Sequence, residues 1–600
     1  MRKWLLAFAL MYAPVALYGQ AVWIPLSVTQ HGTVGAVANA VVIPSSPIAA
    51  FCRFPANGTP CTNKAQTYTD STAAIACPTN TQFVVSSGST CQASLDAQNN
   101  RGVLKPGRYI YTVTSGVVNN GPQYVSATCD FASACTVTGA VSATGNVTLS
   151  GGGRYIFASS MKCDGSTDDG AALQAAVTAA GQRGHVVMPV GTCILGSGAP
   201  AVGRIDVPDG LWLQGAGKYA TTIKRPNGLN STNEMFRCAA GGSFGAVGNC
   251  TLTDFTVDQN QANQTAGNDN INAGAVSKMT IERMRIINAW TNGIATYPTS
   301  GQVSADVLVA DSDFESNGTR SGCVGVALCM DIRIGNPLRV RISWNRSENS
   351  QNFLLTVPTA STNGYVTVEE NIVNNCLGFA VALGGQQTKD SVTRNVFNCP
   401  TSTQNIIDIA NANDVVVSDN TVTMGTSKIG ISDLPPALRV TVTGNRVTGN
   451  PSGPGTANCI SLGGSDLTIT GNYCDKAGGA GIIIAVANIG LAPSRNVLIS
   501  ANSVKDCSQA SPGAHAGIEL FLQAGGTAAL STVIIKGNNA FDDQGTPTQG
   551  WGIGLAVSGQ TSGFSNITVS GNYVRGNKTA AIFDGMSGGT GVQISENTGE

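Results

Sequence analysis

Asp408, Asp433 and Lys428 carry the best candidate chemistry in this chain. Two carboxyl groups brought together can serve hydrolysis, one as acid and the other as base or nucleophile. Acids beside a basic residue can instead serve elimination next to a substrate carboxylate. That charge is then neutralised, often by Ca²⁺ on oxygen ligands, and a Lys or Arg removes the proton. Glu519 beside His515 is a second candidate pair, and Asp331 with Arg333 a third. The plain alternative for any one of these acids is a solvated surface charge. Asp164, Asp168 and Asp169 read differently: they stand at a turn and a helix start, where carboxylates satisfy free N–H groups.

Other chemistry is thinly represented. Only three histidines occur (His31, His185, His515) and no C-x-x-C, so zinc is not expected. No cofactor is expected beyond Ca²⁺ in the elimination case. A net charge of −1 gives no electrostatic case for nucleic acid.

The candidate acids must be positioned by a repeat. Ten times the chain writes a β-branched residue, two spacers and an asparagine: Asn345, Asn371, Asn395, Asn420, Asn445, Asn472, Asn502, Asn538, Asn572 and Asn597. A period in the mid-twenties with β-branched alternation marks a solenoid of β-coils, whose long groove suits a linear polymer. The repeated Asn reads as a structural ladder. Asn tolerates left-handed backbone at a bend and can pair with the coils above and below.

A second strand precedes the ladder strand in each coil, as in Cys329-Met-Asp-Ile-Arg-Ile, Asn405-Ile-Ile-Asp-Ile-Ala, Gly430-Ile-Ser-Asp and Gly517-Ile-Glu-Leu. Alternation places Ile332, Ile334, Ile407, Ile409, Ile518 and Leu520 inside, and Asp331, Arg333, Asp408 and Glu519 outside on one long face. With coils about 4.8 Å apart, Asp331 and Asp408 lie roughly 14 Å apart, too far for a glycosidase pair. Asp408 and Asp433 are on neighbouring coils, Asp433 where its strand is turning. The longer intervals between Asn472 and Asn572 predict emergent loops.

Six hundred residues predict more than one folding unit. Arg2 and Lys3, the apolar run Trp4–Leu17 and small residues at Gly19 and Ala21 read as a signal peptide over 1–21, with no later membrane span. Seventeen cysteines fit export to a secreted or cell-surface location. Cys52/Cys61, Cys77/Cys91, Cys129/Cys135, Cys238/Cys250, Cys323/Cys329 and Cys459/Cys474 are plausible disulfides, and the odd count leaves a thiol over. Residues 22–147 read as a separate module. Around Asp96–Val113, a turn, strand, Pro-Gly turn and strand resemble the small β-sandwich modules similar to carboxypeptidase regulatory domains.

After Gly151-Gly-Gly153, the stretch Cys163-Asp-Gly-Ser-Thr-Asp-Asp-Gly-Ala-Ala-Leu-Gln-Ala-Ala predicts a helix capped by Thr167 or Asp168, with Leu173, Ala176, Val177 and Ala180 as its apolar face and Gly181 as its end. Val186-Val-Met-Pro-Val-Gly-Thr-Cys-Ile-Leu195 follows. Together these resemble the opening of the pectate-lyase-like β-helix proteins, related to rhamnogalacturonases and epimerases. The resemblance runs over 155–600. It implies an all-β fold: a right-handed, single-stranded parallel β-helix whose N-terminal end is plugged by the helix. It also implies that the outward face of the second strand, with its loops, forms a polysaccharide groove.

The N-T-D, D-D, G-H-G and R-I-K set of polygalacturonases is not assembled here, and the W-x-D-H and R-x-P-x-x-R signatures of Ca²⁺ pectate lyases are missing. The resulting expectation is an exported protein that binds and cleaves a polysaccharide as a lyase or a glycoside hydrolase. The alternative is a non-catalytic surface or tailspike-like β-helix protein. Oligomeric state is open. Asn597 falls one regular interval after Asn572, which predicts a further cap or cover by another chain beyond Glu600.

Overall fold

The computed structural model describes residues 154–599 apart from 197–201, 239–246, 300, 321, 324–328, 359–363, 386, 427, 435–436, 487–493, 525–528 and 588; residues 154, 247 and 434 are described by backbone alone. Before 154 only the backbone of short strand segments between Val28 and Thr148 is described. The expected signal peptide and the side chains of the first three expected cysteine pairs therefore lie outside the described residues. So does the expected β-sandwich, except for its strand segments. Five of these form one sheet, in the order Ala65–Tyr68, Gln82–Val85, Ala50–Arg53, Gly107–Thr112 and Gln123–Val125.

The chain divides into two compact units. One comprises Met1–Met161, Ala175–Pro189 and Leu211–Leu213. Within it, His185 stacks on Trp212 at 4.0 Å and meets the edge of Tyr155 at 4.8 Å. The other unit comprises Lys162–Gln174, Val190–Gly210 and Gln214–Glu600.

The larger unit is a β-helix with three parallel sheets. One coil shows the plan. Ile407–Ala410 lies in what we call the third sheet, Asn413–Ser418 in the first, and Thr421–Met424 in the second; Ile429–Leu434 then returns to the third, directly beside Ile407–Ala410. Alternation fixes which side chains enter the core. In the first sheet Val392, Val417, Val442 and Ile469 stand in register, and all are fully buried. Each such side chain contributes about 1.5–3 kcal/mol relative to leaving it exposed.

The asparagines form the expected ladder. From Asn345 to Asn572, each donates its backbone N–H and its Nδ2 to Oδ1 of the next, at 2.8–3.1 Å. Each Nδ2 also donates to a strand carbonyl one coil back, as Asn420 does to Val392 at 2.8 Å. The left-handed bend is not at the asparagine, however. It falls on the residue before: Trp344, Glu370, Arg394, Asp419, Gly444, Gly471, Ala501, Gly537, Gly571 and Glu596 have φ between +55° and +67°. The bend turns the following amide inward, so the Asn is chosen for its two-sided hydrogen bonding and not for its backbone.

The helix forms over Gly170–Ala180, with Leu173, Ala176, Val177 and Ala180 buried. Asp168 caps it, accepting from Gly170 N at 2.9 Å and from Gly196 N at 3.0 Å. Asp164 accepts from Ser166 N and Thr167 N of its own turn, and Asp169 from Lys162 N and Cys163 N, which accounts for all three acids structurally. Five disulfides are described. Cys238–Cys250, Cys323–Cys329 and Cys459–Cys474 match the expected pairs, Cys163–Cys193 and Cys376–Cys399 are additional, and Cys507 is free and buried. No helix among the described residues is long and apolar enough to cross a membrane.

Candidate functional site

The strand register of the third sheet lines up one outward side chain per coil. The column runs Asp206, Arg237, Asn272, Ala295, Arg333, Leu355, Ala382, Asp408, Ser432, Ser461, Ile483, Glu519, Gly554 and Phe583. Arg333, Asp408 and Glu519 stand in it as expected, and Ile332, Ile334, Ile407, Ile409, Ile518 and Leu520 are fully buried behind it.

Two expected residues are elsewhere. Asp433 pairs with Ile409, in the inward column, while Ser432 is the residue opposite Asp408. Its carboxylate is buried and accepts from the Gly463 and Gly464 N–H groups of the next coil. Burial, with the Asp408 charge adding to it, pushes Asp433 up to about 7. Asp408 accepts from Ser432 Oγ at 2.7 Å, and burial raises its pKa too. Lys428 is exposed, and no ion pair joins it to either acid among the described residues.

Asp331 is the second correction. The strand starts at Ile332, so Asp331 falls at the bend before alternation begins, and it is fully buried. It accepts from Asn317 Nδ2 at 2.8 Å and from Ser347 Oγ, and burial pushes it up to about 7. It does not pair with Arg333. His515 and Glu519 are brought together: Nδ1 lies 3.4 Å from Oε2, with the imidazole partly exposed and Glu519 buried. The long intervals around them are taken up by the stretches 506–515 and 542–550 between the second and third sheets.

A further polar cluster lies earlier in the chain, and of its members only Arg333 is singled out in the sequence. The Arg333 guanidinium sits 4.4 Å from the ring centroid of Tyr297. The Tyr297 hydroxyl accepts from Asn292 Nδ2 at 3.1 Å. Asn292 Nδ2 also donates to Asp269 at 2.7 Å, and Asn272 Nδ2 donates to the same carboxylate at 2.8 Å. One and two coils below Asn272, Arg237 pairs with Glu234, and Arg204 with Asp206 at 2.9 Å. Arg333 Nε, Asn272 Oδ1 and Asn292 Oδ1 are buried and have no hydrogen-bond partner among the described residues. The available signal was Arg333 itself, with Asn272 and Arg237 in register two and three coils below it.

The electrostatics sort the roles. Asp269 is fully buried, and its pKa is raised by that burial against four hydrogen bonds. Tyr297 is raised well above the usual tyrosine value, by burial first and by the Asp269 charge second. Its hydroxyl therefore keeps its proton and suits donation. Arg333 offers a planar fork for a carboxylate. Asp269 Oδ1 accepts from Thr291 Oγ1, Asn292 N and Asn292 Nδ2, and its Oδ2 accepts from Asn272 Nδ2. The metal-like grouping Cys163, Asp169 and Cys193 is not a ligand set, since its cysteines are joined to each other.

A family profile described as a right handed beta helix region matches residues 392–546. The chain carries a right-handed parallel β-helix. Over 214 residues, 34% of this chain, it is 28% identical to mannuronan C5-epimerase AlgE3 of Azotobacter vinelandii. That stretch is only 11% of the relative's length. Among solved structures, the A-module of mannuronan C-5 epimerase AlgE4 from the same organism is 17% identical with a TM-score of 0.34, over 74% of this chain and 100% of that one. Tailspike protein 3 of bacteriophage CBA120 is 14% identical with a TM-score of 0.37, over 76% and 64%.

Proposed function

We propose that this chain binds an acidic polysaccharide along the outer face of the third sheet and acts on a uronate unit at Arg333, by proton transfer beside its carboxylate. The observation that carries the reading is the Arg333–Tyr297 pair, a carboxylate-binding fork lying against a hydroxyl that keeps its proton. Taking a proton from the carbon beside a carboxylate builds negative charge on that carboxylate. An arginine bound to it lowers the barrier most when water is excluded. A solvent hydroxide takes that proton. The Tyr297 hydroxyl gives one, either to the departing sugar oxygen, which cleaves the chain, or to the opposite face of the same carbon, which inverts it. Water then reprotonates the tyrosinate and restores the hydroxide. The partial likeness to a mannuronan C5-epimerase supports the uronate class. Hydrolysis is less well served, because Asp408 and Asp433 occupy opposite sides of their sheet. Five disulfides fit an extracellular protein.

The test is a panel of mannuronan, polygalacturonan and neutral polysaccharides. Each is assayed for ultraviolet-absorbing unsaturated ends, for reducing ends, and for deuterium uptake from heavy water, with and without chelator. Unsaturated ends or deuterium uptake on a uronan are expected. Reducing ends without either would make the protein a hydrolase, and retention without any reaction would make it a binding protein. Activity that survives both Arg333→Ala and Tyr297→Phe would place the site elsewhere.

A further inference from the structure

A second feature lies away from the third sheet, on the outer side of the second. The loop 215–220 projects Tyr219 across the strands Arg285–Ile287, Asp313–Glu315 and Arg346–Glu348, over a pocket of about 360 Å³. That volume falls within the range of small-ligand sites, roughly 300–1,000 Å³.

Tyr219 is 70% exposed, yet it is fixed at both ends. Its hydroxyl donates to Asp313 Oδ2 at 2.5 Å, and Lys218 Nζ holds the same carboxylate at 3.0 Å. The Arg285 guanidinium lies 5.9 Å from the ring centroid, and the Thr256 hydroxyl donates to the Lys218 carbonyl, which pins the loop. An exposed aromatic ring so held cannot fold down onto its own surface, and its rigidity lowers the entropic cost of binding. Beside it stand two charge pairs: Arg285 with Glu315 at 2.7 Å, and Arg346 with Glu348 at 2.7 Å. Paired charges of this kind present donor and acceptor side by side, which suits neighbouring hydroxyl groups.

The charge balance narrows the ligand. Lys218, Arg285 and Arg346 are matched by Asp313, Glu315 and Glu348. An anionic sugar would find each cation already neutralised and a carboxylate next to it. We propose that this pocket is a binding site for a neutral pyranose, stacked on Tyr219 and hydrogen-bonded by the Arg346–Glu348 pair. The site is independent of the uronate reading and would anchor a neutral glycan segment or branch.

The experiment is saturation-transfer NMR on the full chain with methyl glycosides of glucose, mannose and galactose, and with methyl galacturonide. Wild type, Tyr219→Ala, Tyr219→Phe and Arg333→Ala are compared, with folding checked by circular dichroism. At least one neutral glycoside is expected to bind wild type and Arg333→Ala alike. Tyr219→Ala should weaken it roughly tenfold or more, and Tyr219→Phe, which keeps the ring, severalfold less. The site is overturned if no neutral glycoside binds wild type or if binding survives Tyr219→Ala. Equal binding of the galacturonide overturns its neutral class.

Discussion

Asp408 and Asp433, on adjacent strands of one sheet, face opposite sides of it. Ser432 stands opposite Asp408 on the outer face, and Asp433 is opposite Ile409 in the core. A shift of one residue in register separates a carboxylate open to a ligand from one bound by the backbone of the next coil.

Arg333→Lys keeps the charge but loses the planar fork. It is expected to lower turnover on a uronan by about tenfold to a hundredfold. Tyr297→Phe should match or exceed this loss while leaving retention on the polymer nearly unchanged. Initial rates and affinity-gel retention measured on the same preparations separate the two effects.

Buried carboxyl groups make stability pH-dependent. Asp390 is raised from 3.8 to about 7 by burial, and its Oδ2 has no partner among the described residues. Below pH 4 it is protonated whether folded or unfolded, and its full contribution is present. Between pH 4 and 7 the unfolded chain releases the proton first, so stability falls as pH rises and levels off above about 7. Asp390→Asn does not titrate. Relative to wild type it should gain up to roughly 4 kcal/mol across that interval. Denaturant titrations at pH 4.5 and 7.5 test this, and an unchanged difference between the two proteins would refute it.

The ladder predicts an order of damage. Asn420→Ala strands the donors of Asn395 and the carbonyl of Val392, at an expected cost of roughly 3 kcal/mol or more. Asn420→Asp is expected to cost more at neutral pH. It keeps the acceptor but sets a second oxygen where Nδ2 now lies 2.8–2.9 Å from two others. Urea midpoints give the ranking.

Positive φ before each ladder residue predicts opposite effects at two sites. Gly537 has φ +62° and open space around a built Cβ, so Gly537→Ala tests backbone strain alone, at about 1 kcal/mol. Ala501 has φ +55°, and Ala501→Gly should recover a similar amount. Thermal unfolding of both variants checks the pair of signs.

Cys507 Sγ lies 3.9 Å from Cys474 Sγ, which is bonded to Cys459. Burial raises the thiol well above its ordinary value, so it is inert while folded. Alkylation of the Cys507 peptide, followed by mass spectrometry, should track global unfolding. After unfolding at pH 8 the thiol attacks the neighbouring disulfide, and Cys507→Ser should refold with fewer isomers.

The repeat was legible because its signal recurs ten times and each occurrence corrects the others. Single residues had no such support. Asp433 was misplaced, although Gly430-Ile431-Ser432-Asp433 aligns with Gly517-Ile518-Glu519-Leu520. That alignment sets Ser432 beside Glu519 on the outside and Asp433 beside Leu520 in the core. Asp331 precedes Ile332 just as Gly293, Gly481, Gly517 and Gly552 precede their own isoleucines, a slot too tight for an outward side chain. The Tyr297–Asn292–Asp269 cluster was invisible for another reason. Its members come from bends between strands, where no period of two or of twenty-five applies, and only the stacking of coils brings them together.

The ladder joins are all alike: Asn395 meets Asn420 with the same geometry with which Asn420 meets Asn445. Excising 420–444 would leave Asn395 facing Asn445 across an equivalent seam. Tandem duplication would add a turn just as cleanly. The molecule can therefore lengthen or shorten by whole steps of about 4.8 Å without re-aiming any side chain on its outer faces. Changing the copy number of turns between Arg333 and Glu519 would alter the distance between them while leaving the surroundings of both intact.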